Sequence, residues 1–233
     1  MSPASHSVSE QLAQQGFAIM PAVLPPETVD KLIEEIDDAF KNRASHSNHA
    51  MRHLLEVVPA VRHVCEDATV RALVESVLGT SACVAMSIFF DKTPDANWKV
   101  AWHQDLTIAV RQKIEVACFT AWSVKDGVAH VQPPIEVLER MLTLRLHLDD
   151  CGPANGPLQV ISASHKSGRL TARQISEWRE QQPAEICSVT RGGALLMRPL
   201  LLHSSSTATE PKHRRVVHLE FAAGPLRNGL QWL

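Results

Sequence analysis

Apolar residues change their spacing after Gly79. Before it, Val29, Leu32, Ile33, Ile36 and Phe40 recur at helical intervals, with Glu34, Glu35, Asp37 and Asp38 on the opposite side. Pro25-Pro26 opens that helix, since proline fits a first turn. A second helix is predicted over 67–78. Asp67 is its N-cap, Val70, Leu73, Val74, Val77 and Leu78 form its stripe, and Gly79 stops it. Residues 1–16 read as a flexible lead, and Phe17 to Val23 as a short strand.

Beyond Gly79 the spacing becomes that of strands. Cys83 to Phe90 is apolar on both faces, as a buried strand would be. Leu142, Leu144, Leu146 and Leu148 alternate with Thr143, Arg145, His147 and Asp149. Further strands are expected at 158–161, 186–190, 194–197, around His203 and over 214–221, with one helix, about 171–182, among them. Residues 106–140 show no clear period. They read as a lid or substrate-facing excursion, the plainer reading being a packed surface loop. Helices followed by many short strands indicate an α+β, mainly β fold with a jelly-roll, cupin-like core and the N-terminal helices packed on its major sheet.

Length and composition narrow this picture. At 233 residues, with 45% hydrophobic side chains, one domain spanning 1–233 with a full core is expected. A formal net charge of −2 and the lack of a basic run speak against nucleic-acid or membrane-surface binding. No apolar run is long enough to cross a bilayer, and the N-terminus lacks a signal pattern. The five cysteines are scattered, with no C-x-x-C pair, as in a chain from a reducing cytoplasm. Oligomeric state is not legible.

Candidate chemistry begins at Trp102-His-Gln-Asp105. In an extended chain His103 and Asp105 project from one face, with Gln104 turned away. With one more histidine, such a pair makes the two-His-one-carboxylate set that binds non-haem Fe(II) and leaves positions free for substrates. The run Leu200-Leu-Leu-His203 delivers that histidine to a strand end. Eleven residues later comes Arg214, whose guanidinium suits the far carboxylate of 2-oxoglutarate. Along the last strand, Val217, Leu219 and Phe221 share a face with Arg215, so either Arg214 or Arg215 points inward. His46, His49 and His53 lie in a polar stretch without a zinc-protease pattern and read as surface residues. His147 and His218 read as hydrogen-bonded structural histidines. Trp98, Trp102 and Trp122 belong either to a pocket or to the core.

Four stretches together resemble the phytanoyl-CoA dioxygenase family of Fe(II)/2-oxoglutarate oxygenases. They are Phe90-Asp-Lys-Thr-Pro94, Trp102-His-Gln-Asp105, Asn155 to His165, and His203-Ser-Ser205 with Arg214-Arg215. The resemblance implies a double-stranded β-helix in which His103, Asp105 and His203 bind iron and Arg214 pairs with the cosubstrate, the family spacing favouring it over Arg215. It also implies that Ser205 and Lys92 reach 2-oxoglutarate. Arg145 stands where the family often has a tryptophan, so its partner, whether cosubstrate, substrate or solvent, stays open. Ser162-Ala-Ser-His165 replaces the family's Pro-Gly-Ser-His turn. The implied reaction is O2-dependent hydroxylation of an unactivated C–H bond of a small molecule, releasing succinate and CO2. Relatives that halogenate lack the carboxylate that Asp105 supplies. The alternative is a cupin-like metal- or ligand-binding protein without oxygenase turnover, or a zinc hydrolase using the same ligands. Family membership does not choose among acyl-CoA thioesters, amino acids, phosphonates and natural products.

Overall fold

The structure, a computed structural model, describes residues 7–42 and 49–233. The chain begins with helix α1 (Val8–Gln14), strand β1 (Phe17–Met20) and helix α2 (Pro26–Lys41). After strand β2 (Ala50–Arg52) come helices α3 (Leu54–Val57), α4 (Pro59–Glu66) and α5 (Ala68–Leu78). Strands β3 (Ala82–Lys92), β4 (Val100–His103), β5 (Ile108–Val110), β6 (Thr120–Lys125) and β7 (Val128–Gln132) follow. Helix α6 (Ile135–Leu138) leads into β8 (Met141–His147) and β9 (Leu158–Val160). Helix α7 (Ala172–Gln181) precedes β10 (Glu185–Cys187), β11 (Ala194–Met197), β12 (His203–Ser205) and β13 (Arg214–Ala223).

Three antiparallel sheets result. The major sheet has the order β1-β11-β8-β13-β3-β2, the minor sheet β10-β9-β12-β4, and a small third sheet β5-β7-β6. This is the jelly-roll arrangement expected from the strand pattern. The central strands of the major sheet serve two layers. On the outer face Leu142, Leu144, Leu146, Val217, Leu219 and Phe221 pack against Val29, Leu32 and Ile36 of α2 and Val70 and Val74 of α5. Burying each such side chain contributes roughly 1.5–3 kcal/mol, so this interface is the main apolar core. On the inner face Leu195 and Met197 meet Leu158, Val160 and Cys187 of the minor sheet.

Three expectations need correction. Residues 8–14 are not a flexible lead. Ser7 caps α1 through a capping box with Glu10, and Leu12 is fully buried in the helical core; residues 1–6 lie outside the described part, as does His46. The stretch 106–140 is not irregular either. It forms the third sheet, whose Ile108, Val110 and Val131 pack on Ala85, Met141 and Ala222 at one end of the barrel. That sheet is tied to the C-terminal residues, because Arg111 N–H donates to Gln231 O at 3.1 Å and Val110 bridges Trp232. Finally, β4 ends at His103, so Asp105 lies just past the strand.

All five cysteines are free. Among the described residues no helix is long and apolar enough to cross a membrane.

Candidate metal centre

β4 and β12 are direct neighbours in the minor sheet, with His103 registered opposite His203. This pairing brings together two histidines a hundred residues apart in sequence. Their rings lie 4.2 Å centroid to centroid. Asp105 closes the set: its carboxylate oxygens lie 3.6 Å from His103 Nε2 and 3.7 Å from His203 Nε2. One ligand atom from each of the three lies within 4.8 Å of the others, which is the spacing of donors around one metal ion. His49 and His53 belong to no such cluster among the described residues.

The second nitrogens fix how the rings point. His103 Nδ1 is 2.8 Å from Ala101 O, and His203 Nδ1 is 2.9 Å from Leu201 O. A carbonyl only accepts, so both Nδ1 atoms carry the proton and both Nε2 lone pairs face Asp105. Gln104, between His103 and Asp105, is buried. Its Nε2 donates to Gly168 O and Leu200 O, and its Oε1 accepts from Leu170 N–H. Together with the bond from Asp105 N–H to Pro199 O, it holds the turn that aims the carboxylate inward. That anchoring role was invisible in sequence, where Gln104 merely faces away.

Electrostatics suit a cation. Burial drives His203 down to about 4, leaving its imidazole neutral for coordination. The His103 side chain is 40% exposed and that of Asp105 26%, so the cluster opens on the His103 side while His203 backs onto the interior.

Next to the cluster the barrel interior holds three cations, Arg214, Lys92 and Arg145. Arg214 is buried, paired in register with Lys92, and its Nη1 donates to Gly156 O. Gly156 sits at φ +61°, and a Cβ there would come within 2.9 Å of Ser206 O. The choice between the two arginines is thereby settled in orientation. Arg214 turns inward with Val216 and His218, while Arg215 pairs with Asp149 at 2.7 Å. Lys92 is buried and donates to Ser205 Oγ at 3.0 Å and Ser206 O at 2.8 Å. Burial and the Arg214 charge lower it to about 8. Arg145 is buried too, lies 2.8 Å from His218 Nδ1 and stands over the Phe90 ring. The Nε atoms of Arg145 and Arg214 and the Nδ1 of His147 are buried without partners, so His147, unlike His218, is not a satisfied structural histidine. Clustered cations with unused donors fit a small dianion.

The tryptophans divide. Trp98 lies beneath Lys92, Trp102 packs with Ile161, Leu170 and Leu202, and Trp122 packs within the third sheet's cluster. The departure at Ser162-Ala-Ser-His165 has a visible consequence: Ala163 takes φ +63°, where the family's glycine would rest without strain. Ser164 nonetheless anchors the turn, donating to Ile161 O at 2.7 Å and accepting from Leu202 N–H at 2.9 Å.

A family model described as phytanoyl-CoA dioxygenase matches residues 12–216. No curated protein matches the sequence. Solved structures share the fold at low identity. AviO1 from Streptomyces viridochromogenes Tue57 is 19% identical with TM-score 0.67, covering 94% of this chain and 96% of its own. EctD from S. alaskensis, with 2-oxoglutarate and 5-hydroxyectoine, is 18% identical with TM-score 0.73, covering 96% and 78%. SnoK, a non-haem α-ketoglutarate-dependent carbocyclase of nogalamycin biosynthesis, is 14% identical with TM-score 0.72, covering 95% and 85%.

Proposed function

The chain belongs to the phytanoyl-CoA dioxygenase family, and on that footing we propose that His103, Asp105 and His203 hold the Fe(II) of a 2-oxoglutarate-dependent oxygenase that hydroxylates a small molecule. The observation that carries this reading is the convergence of three donor atoms within 4.8 Å beside buried, under-bonded cations. Arg214 and Lys92 hold the distal carboxylate of 2-oxoglutarate, with Ser205 fixing the lysine between them. Arg145, held by His218 at 2.8 Å, orients toward the same anion from the triad side. When bound, iron with 2-oxoglutarate and O2 supplies an oxidant able to attack an unactivated C–H bond, with succinate and CO2 released.

The chain's own residues supply three further services. The Nδ1 bonds to Ala101 O and Leu201 O hold both imidazoles in the coordinating tautomer. The buried cations select a dianionic cosubstrate over neutral keto compounds. The β5-β7-β6 sheet covers the barrel end and acts as the lid that excludes water around the substrate. The presence of Asp105 favours hydroxylation over halogenation.

The test is an anaerobic titration of 2-oxoglutarate into Fe(II)-loaded protein, followed by the weak visible charge-transfer band of the chelate, and then succinate formation in air. Both signals are expected in the native chain and in His49→Ala, and neither in His103→Ala. Iron binding without the band would point instead to a metal-binding protein without oxygenase turnover.

A further inference from the structure

One buried carboxyl group of the barrel interior is not used by the iron or the cosubstrate. Glu220 on β13 is 4% exposed. Its hydrogen-bond partner is His218 Nε2, at a long 3.4 Å. His218 Nδ1 accepts from Arg145 Nη1, so Nε2–H is what His218 has left to donate. Among the described residues no lysine or arginine lies within ion-pair distance of Glu220. Across the ladder from it stands Thr143, whose Oγ1 is also buried and without a partner. On its other side stands Met86. Two polar side chains thus share an otherwise apolar layer with unspent hydrogen-bonding capacity, which buried groups in folded proteins rarely keep.

Their position gives that capacity a use. Along β13 the inward residues run Arg214, Val216, His218, Glu220. Arg214 marks the cosubstrate end. Two residues past Glu220, Ala222 packs with Met141 under Ile108, Val110 and Val131 of the third sheet. Glu220 therefore lies on the lid side, where a substrate would sit between lid and metal. It is also near the triad: burial first, and the Asp105 charge with it, raise its carboxyl against the opposing His218 bond. A bound metal takes up the charge of Asp105, whereas Glu220 faces only the long contact to His218, with no lysine or arginine within ion-pair distance among the described residues. The exposed cation of the lid hairpin, Lys125, is turned to Thr107 Oγ1 at 3.5 Å.

We infer that Glu220 is the specificity-determining residue of the site and takes a protonated amine of the substrate, with Thr143 as a second acceptor. The substrate class is then small cationic or zwitterionic compounds. Acyl thioesters and neutral hydrocarbons would leave Glu220 buried against an apolar surface, which is unfavourable. The inference rests on the reading of the triad and cation cluster given above, and Glu220 lies outside the residues that the family model matches.

A matched pair of probes tests it. Protein loaded with Fe(II) and 2-oxoglutarate without oxygen is titrated with cyclohexylamine and with cyclohexanol, read by calorimetry and by perturbation of the visible band. The amine is expected to bind about tenfold or more tighter than the alcohol, as a charge-assisted hydrogen bond would give. In Glu220→Gln that preference should vanish while the band itself persists. Equal binding of the two probes by native protein with an intact band overturns the inference alone. Loss of the band in Glu220→Gln also overturns it, by making the residue part of the cosubstrate site. Absence of the band from the native protein removes the triad reading and this inference together.

Discussion

The two faces of β8 and β13 are made by the same backbone and do opposite work. On the outer face Leu142, Leu144, Leu146, Val217, Leu219 and Phe221 meet only apolar partners from the N-terminal helices. On the inner face Thr143, Arg145, His147, Arg214, His218 and Glu220 are equally buried yet polar, and several keep unpartnered atoms. The outer face lowers the free energy of the fold. The inner face raises it, because buried charges without full pairing are costly, and it keeps donors and acceptors free for molecules that are not protein. Stability and chemistry are separated here by one pleat of sheet.

That separation can be broken by exchanging what each face does. The largest effect is expected at Arg214→Gln. Affinity for 2-oxoglutarate should fall by roughly 2–5 kcal/mol in calorimetric titration, the range for losing one partner of a buried charge pair, while the melting temperature holds or rises. Leu144→Ala should do the reverse. It should cost roughly 2–5 kcal/mol in denaturant unfolding, with the affinity for 2-oxoglutarate in the folded fraction little changed. If both variants lose stability and affinity together, the two faces are not independent.

A gentler probe is pH, through Lys92. Its ammonium is depressed to about 8 in the fold against an ordinary value of 10.5. Between those values the unfolded chain carries the extra proton, so stability of the ligand-free protein should rise with pH across that window. Affinity for the 2-oxoglutarate dianion should move the opposite way, falling as pH passes about 8 and the lysine loses its charge. Unfolding and titration series at matched pH would show the opposed slopes. The smallest effect on cosubstrate binding belongs to Arg215→Ala. Arg215 grips Asp149 through Nε and Nη2, and both side chains are largely buried, so its removal should lower stability by more than the ~1 kcal/mol of an exposed pair yet leave cosubstrate affinity unaltered. A large loss of 2-oxoglutarate affinity there would reverse the orientation assigned to the two arginines.

Much of this could be read in the sequence where a residue's type and its spacing agree. His103, Asp105 and His203 were legible because one short motif and one histidine at the end of an apolar run fit a single donor set. The alternation around Leu144 announced a strand with two unlike faces, although both turned out to be buried. Other parts were hidden for physical reasons. β6 is largely exposed and bulged, with Ala121 at φ +51° and the turn after it at Asp126 φ +48°, so no period marks it. α3 and α4 are short and separated only by Val58, too brief for a helical stripe. Glu220 gave no signal because an acidic residue in alternation looks like a solvent-facing one until the register shows which side is closed. The family match and shared fold account for the class of the chain; the partner of Arg145 emerged only from the packing of His218 beside it.

The strict pairing of β13 with β8, Val216 opposite His147 through Ala222 opposite Met141, has a consequence for how such a chain can vary. Inserting or deleting a single residue within either strand would transpose every leucine and every charge at once, pushing arginines among the helices and leucines toward the His103–Asp105–His203 cluster. No compensating point change could undo that. Length differences between this enzyme and its kin should therefore accumulate outside these two strands, in segments such as 111–119, where an extra residue shifts nothing downstream.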